Sequence, residues 1–219
     1  MASSGRWARC GGSSTSGPAE VAERTAEGER FARVDWYAEE LGASVFVGCE
    51  FVDADLTEVT TRGARFEDCE FRGGQLNASS HEGTSFTGCR FTRTSFFAAT
   101  LRGCKLVGSS FSGAKLRPMT VEGGNWSYVN LRMADLSGLD LTGVRLVEAD
   151  LAEADLRGTV LRDADLTRAV LRNVTLDGAD LVGADLSDVA LRGLAWKGAK
   201  VDTTLALLIA EAQGATVTG

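Results

Sequence analysis

The sequence predicts an all-β solenoid, and three features carry that reading. Every fifth residue from Phe46 to Val201 is large and apolar except Thr61 and His81, over 32 positions without a slip in register. A second column, two residues earlier, runs from Ser44 to Ala199 and is small, as at Cys49, Ala54 and Ala64; only Met119, Leu139 and Leu194 exceed valine in bulk. Two residues after the large position, glycine fills 16 of 31 slots. In an α-helix a five-residue step turns about 500°, so no apolar face forms. In a straight strand each step of five reverses the face. The pattern closes only if the chain turns a corner once per unit. The small and large residues then share one interior, and the glycine slot supplies a turn position with positive φ. Successive circuits stack as a solenoid, roughly 4.8 Å apart if neighbours pair as parallel strands.

The elements follow in chain order. Residues 1–30 are rich in Gly, Ser, Thr and Glu with little pattern, and read as a flexible tail. Residues 31–45 keep the spacing loosely through Phe31, Trp36 and Leu41, and are expected to form an irregular cap. Residues 46–201 form the repeat. Residues 202–219 begin with a helix-start pattern, Asp202-Thr203-Thr204, and Gly214 stops the helix. That helix is apolar on nearly every side and too short to span a membrane, so it must pack on something. It either caps the open end of the solenoid or also joins two copies, with Leu205, Leu207, Leu208, Ile209 and Ala212 as the candidate dimer interface.

Units such as Ala149-Asp150-Leu151-Ala152-Glu153 and Ala184-Asp185-Leu186-Ser187-Asp188 resemble the A(D/N)LXX signature of pentapeptide repeat proteins. The resemblance implies a right-handed quadrilateral β-helix with four units per coil, here about eight coils. The stretch from Gly198 through Leu207-Leu208 to Gly219 resembles the end of the MfpA and Qnr quinolone-resistance branch, whose C-terminal helix joins two rods. Leu116-Arg117-Pro118-Met119-Thr120 and the unbroken register resemble MfpA more than Qnr, whose coils carry projecting loops. The resemblance implies DNA gyrase, and similar type II topoisomerases, as partner. It also implies modulation of the enzyme or protection from fluoroquinolones or related poisons.

Composition narrows the function classes. With 30 acidic and 23 basic residues among 219, the formal charge is −7, which disfavours a surface built to grip nucleic acid directly. One histidine leaves little for neutral-pH proton transfer and excludes a multi-histidine metal site. No phosphate loop, HExxH or nucleophile elbow is present, so neither an enzyme nor a bound cofactor is expected. Cys49, Cys69, Cys89 and Cys104 fall in small slots and read as packing residues, while Cys10 lies in the tail as the exposed thiol. His81, one expected coil beyond Thr61, reads as half of a hydrogen-bonded polar pair inside the rod. The expected location is cytoplasmic.

Charge is uneven along the repeat. Eight acids and three bases lie between Phe46 and Glu82. Six bases and no acids lie between Gly83 and Val121. Twelve acids and six arginines lie between Gly123 and Asp188. In the acidic stretch Asp135, Asp140, Asp150, Asp155, Asp165, Asp180 and Asp185 occupy the polar slot between the two inward columns. Twenty-residue spacings suggest carboxylate rows along the rod, able to imitate duplex phosphates to a basic groove. Solubility alone also explains acids on a solenoid, and a scaffold for another partner, or self-protection from an endogenous toxin, remains the alternative.

Overall fold

A computed structural model describes residues 23–218; most of the expected tail, with Cys10, lies outside them. The chain coils as a right-handed quadrilateral β-helix closed by one short helix. Pairing is parallel and in register at twenty residues, from Thr25↔Val45 to Asp180↔Lys200. Four five-residue units therefore complete each coil. The four faces are named by their large-slot columns: the first through Phe46 and Phe66, the second through Phe51 and Phe71, the third through Leu56 and Leu76, the fourth through Thr61 and His81.

Regular stacking begins one coil before Phe46, so the coil count differs slightly from eight. Residues 31–45, expected as an irregular cap, are ordinary coil: Arg30–Ala32 pairs with Glu50–Val52, and Asp35 bridges to Asp55. The small column hides this coil, because Glu29 and Glu39 occupy it. Among the described residues no lower coil faces this one to forbid a larger side chain. The end is closed instead by aromatic packing: Phe31 stacks on Phe51 at 5.0 Å, and the Arg24 guanidinium lies 4.4 Å over the Trp36 ring.

Two unit conformations alternate. Up to Glu122, three faces carry three-residue strands: a four-stranded sheet on the first, five on the second and four on the fourth. The third face carries only isolated bridges, such as Asp55↔Gln75 and Gln75↔Ser95. From Asn125 onward every unit is a turn in which the large residue's carbonyl accepts from the N–H three residues on, as Val144 N–H to Leu141 O at 3.1 Å. The strand coils hold phenylalanine in two parallel stacks; Phe51–Phe71 and Phe71–Phe91 lie 4.7 and 4.8 Å apart. The turn coils hold leucine. Corner residues keep positive φ even where glycine is absent, as at Asp53 (50°) and Tyr128 (60°).

The inter-coil ladder lapses within the rod. Lys115 bridges to Ser95 and Asp135 to Asp155, yet among the described residues no bridge joins Lys115 to Asp135 or Thr120 to Asp140. On the other two faces Lys105↔Asn125 and Ser110↔Asn130 hold. Met119 and Leu139, two of the three bulky residues in the small column, fall on consecutive coils of the fourth face here. Pro118 also brings no N–H to the ladder. A groove of about 400 Å³, lined by residues from Arg117 to Glu122 and from Ser137 to Asp140, opens between the coils; Arg117, on its wall, pairs with Asp135 at 3.0 Å.

Candidate partner-binding surface

The seven candidate carboxylates stand in one slot of the unit but on four different faces. Asp165 and Asp185 lie on the first, Asp150 on the second, Asp135 and Asp155 on the third, Asp140 and Asp180 on the fourth. Asp135↔Asp155 and Asp165↔Asp185 are direct neighbours across one coil step. Val160 separates Asp140 from Asp180, and Asp150 lies between Asn130 and Val170. The rows are therefore short pairs, because a twenty-residue circuit returns only every fourth unit to the same face.

Each of the seven has a local task. The Oδ1 atom accepts the backbone N–H two residues on: from Ser137 to Asp135 (3.1 Å), Thr142 to Asp140 (3.0 Å), Ala152 to Asp150 (3.0 Å) and Arg157 to Asp155 (3.0 Å). Thr167 to Asp165 (3.1 Å), Val182 to Asp180 (3.3 Å) and Ser187 to Asp185 (2.9 Å) complete the set. This is an Asx turn, which satisfies an N–H that a strand would pair with its neighbour. Asn125 and Asn130 do the same for Ser127 and Arg132.

Neighbouring cations then neutralise several of these charges. Asp135 pairs with Arg117, Asp155 with Arg157, Asp165 with Arg145 at 3.6 Å, and Asp180 with Arg162 at 2.8 Å and Lys200 at 3.7 Å. Asp180 is a correction to the expected outward row: its side chain is only 8 % exposed, packed beneath those two cations. Burial is the largest influence and works to raise its pKa, but the hydrogen bonds from Arg162 and the Val182 N–H, together with the Arg162 and Lys200 charges, outweigh it and hold the carboxyl below the usual carboxylate range. For Asp155 the Arg157 hydrogen bond dominates in the same direction, and for Asp185 the Ser187 hydroxyl.

Sequence reading passed over the acids at the corners. Glu148, Glu153, Asp163 and Asp188 are exposed and project at positive φ. The available signal was a carboxylate in the glycine slot. With Asp165 and Asp185, Asp188 gives the first face its acidic edge near the C-terminal end.

The helix Thr203–Ala212 is capped by Asp202, whose Oδ1 accepts the Leu205 N–H at 2.9 Å. Leu205 is buried, and Ile209 and Ala212 pack against the core of their own rod. Leu205 is thus withdrawn from the candidate dimer interface, since spacings of four and three put these residues on one helix face. Leu207 and Leu208 point away, each 44 % exposed.

The interior polar cluster is closed. Thr61 Oγ1 lies 2.7 Å from His81 Nδ1 and 2.7 Å from Thr84 Oγ1, and His81 Nε2 lies 3.0 Å from Ser79 Oγ. Burial lowers the His81 pKa to about 4, so the ring is neutral at pH 7. Cys49, Cys69, Cys89 and Cys104 are buried free thiols, and burial raises Cys104 to about 11. Among the described residues no group of three or more His, Cys, Asp or Glu side chains is placed to hold a metal, and no helix is long and apolar enough to cross a membrane.

The chain matches the pentapeptide repeats family in eight copies over residues 41–73, 49–80, 94–117, 121–151 and 149–188. No curated protein sequence matches it. Among solved structures it is similar to a trypsin-treated variant of QnrB1, a plasmid-mediated fluoroquinolone resistance protein. That likeness has 25 % identity and TM-score 0.79, covering 90 % of this chain and 100 % of the other. Full-length QnrB1 aligns with 21 % identity and TM-score 0.70 over 87 % of this chain and 100 % of the other, a likeness of fold. The register, the slot chemistry and the family match agree, and the chain belongs to the pentapeptide repeat family.

Proposed function

We propose that this protein is a quinolone-resistance-type rod that binds DNA gyrase, and sister type II topoisomerases, in place of DNA, and modulates or protects the enzyme against fluoroquinolones. The likeness to QnrB1 over nine-tenths of the chain is the observation that supports the reading. The acidic C-terminal coils, six charges net negative between Gly123 and Asp188, supply its physical basis. The reading places the protein in the cytoplasm as a non-enzymatic homodimer joined through Leu207 and Leu208, with action by competition or allostery.

The distribution of ion pairs selects the residues to test. Asp140, Asp150, Asp185 and Asp188 have no cation within 4.0 Å among the described residues. Changing all four to Asn keeps the turn acceptor at Asp140, Asp150 and Asp185 and removes four charges. Gyrase binding should weaken at least about tenfold, and its salt dependence should flatten, because steering follows the summed field. Supercoiling assays with and without a fluoroquinolone should show the same loss. Equal affinity and equal salt response would overturn mimicry and favour the scaffold reading, which the ion-paired state of Asp135, Asp155, Asp165 and Asp180 supports. Leu207→Asp with Leu208→Asp should leave a β-rich monomer in sedimentation; an unchanged dimer would remove the helix from the interface.

A further inference from the structure

We propose that a cationic window on the third face docks a short acidic loop carrying an apolar side chain. This rests on the gyrase reading, and assigns that loop to the same partner.

The window lies where the sequence carries no acid, between Gly83 and Val121. Its outward residues on the third face are Ser95, Phe97, Lys115 and Arg117, next to Gln75 and Asn77 one coil earlier. Phe97 is 54 % exposed, where its column neighbours are polar Asn77 and Arg117. Beside it the exposed corner residues Ala78, Ala98 and Pro118 form an apolar strip. On the opposite side a groove of about 530 Å³ is lined by Gln75, Asn77, Arg93, Ser95 and Lys115. Asp53 bounds its N-terminal end, lying against Gly73.

The two cations of that groove differ from their neighbours. Arg90, Arg102 and Arg117 are paired with Glu70, Glu122 and Asp135. Arg93 and Lys115 are exposed, and neither has a carboxylate within 4.0 Å among the described residues. Their charge is therefore available, and it stands next to an aromatic ring already in water. Aromatic side chains in such a setting are frequent anchors of protein interfaces.

Length decides the occupant. Three coils span roughly 10 Å between the first and the last. Beyond them the same face carries Asp35, Asp55 and Glu58 at one end and Asp135 and Asp155 at the other. A nucleic acid strand following the face would run into carboxylates at both ends, and two free cations release few counterions. A loop with one or two carboxylates meets Arg93 and Lys115 and ends before the repulsion begins. Its apolar residue then covers Phe97 and the alanine strip. The rod thereby offers its partner two patches of opposite sign, which fixes the direction in which it lies.

The test compares purified gyrase binding by wild type, Phe97→Ala, and the double variant Arg93→Glu with Lys115→Glu. Arg172→Glu with Arg192→Glu, two exposed unpaired cations of the second face, serves as control. The expected result is at least a tenfold loss for each window variant, with unchanged circular dichroism and melting, and no loss for the control, whose added negative charge falls on or beside the acidic coils. If wild type binds gyrase and the window variants bind equally well, this inference fails and the proposed function stands. If wild type does not bind gyrase, both fall. A labelled twelve-nucleotide single strand is expected not to bind; binding that the window substitutions abolish would overturn the acidic loop in favour of nucleic acid.

Discussion

The coils before Glu122 and those after Asn125 follow the same five-residue period but make different use of it. In the N-terminal coils the backbone is extended on three faces, and the parallel ladder takes the N–H that follows the large residue. In the C-terminal coils that residue's carbonyl closes a turn within its own unit, and in nine of the units the N–H is left to a side chain. Aspartate or asparagine one residue before the large position provides the acceptor. Phenylalanine between β-branched neighbours, as in Val45-Phe46-Val47, favours the extended form. Asp-Leu favours the turn. Aspartate or asparagine in the slot thus reinforces the turn without being required for it, since Val160 and Val170 also precede turns, while the period selects the solenoid. One consequence bears on function: the acids that make the C-terminal half resemble a polyanion are also its turn residues.

The largest expected effect tests whether the turn half depends on its interior as strictly as the strand half. Leu151 is fully buried within the solenoid core. Leu151→Asp sets an unpaired carboxylate there, at a cost comparable with the whole stability of an ordinary domain. The variant should be unfolded or insoluble at 37 °C. A melting temperature equal to wild type would show that the C-terminal coils are not stacked in this register.

The second effect separates the halves by pH. His81 lies in the strand half with a pKa of about 4, against about 6.5 in an unfolded chain. Between these values the unfolded chain binds a proton that the native ring refuses. Stability therefore falls as pH drops through 6.5, and the full loss, about 3 kcal/mol, is reached near pH 4. The turn half responds later. Asp155 and Asp185 are held below their ordinary 3.8, so their contribution persists above that value and is lost only at lower pH. Hydrogen exchange between pH 6.5 and 4 should rise first in the coils around His81, and His81→Gln should remove the pH dependence of melting in that window. Uniform loosening of both halves would contradict the assignment.

Most of the fold was legible because the period is a geometric constraint that every coil repeats. Thr61 and His81, the two polar residues of the large column, pair inside as their spacing of twenty required. The bulky exceptions of the small column were informative as well. Met119 and Leu139 lie where the ladder lapses, and Leu194 lies in the last coil, where Ala190 and Ala195 have no bridge. The first coil was not legible, since Glu29 and Glu39 break a rule that applies only between two coils. The surface was less legible than the core. Rows could be read from spacing, but Arg162 and Lys200 closing over Asp180 is a contact between coils that no single unit encodes.

The smallest effect compares one slot in the two conformations. Thr100 and Asp140 occupy the same position of the fourth face, two coils apart. Thr100 lies in a strand, Thr100–Arg102. Asp140 lies in a turn, where its Oδ1 accepts the Thr142 N–H at 3.0 Å and the Thr142 hydroxyl at 2.6 Å. Asp140→Ala removes both bonds and should cost about 1 kcal/mol, the usual net value of such a contact. Asp140→Asn retains the acceptor oxygen and should stay within about 0.5 kcal/mol of wild type, in the range of ordinary surface changes. Thr100→Ala should fall in that same narrow range, since the ladder and not the side chain satisfies the backbone there. Urea denaturation of the three variants measures the difference. A loss for Asp140→Asn equal to that for Asp140→Ala would mean that charge rather than the turn acceptor holds the slot. The carboxylates of the C-terminal coils would then be retained for their field, and the acidic surface would owe nothing to the fold that carries it.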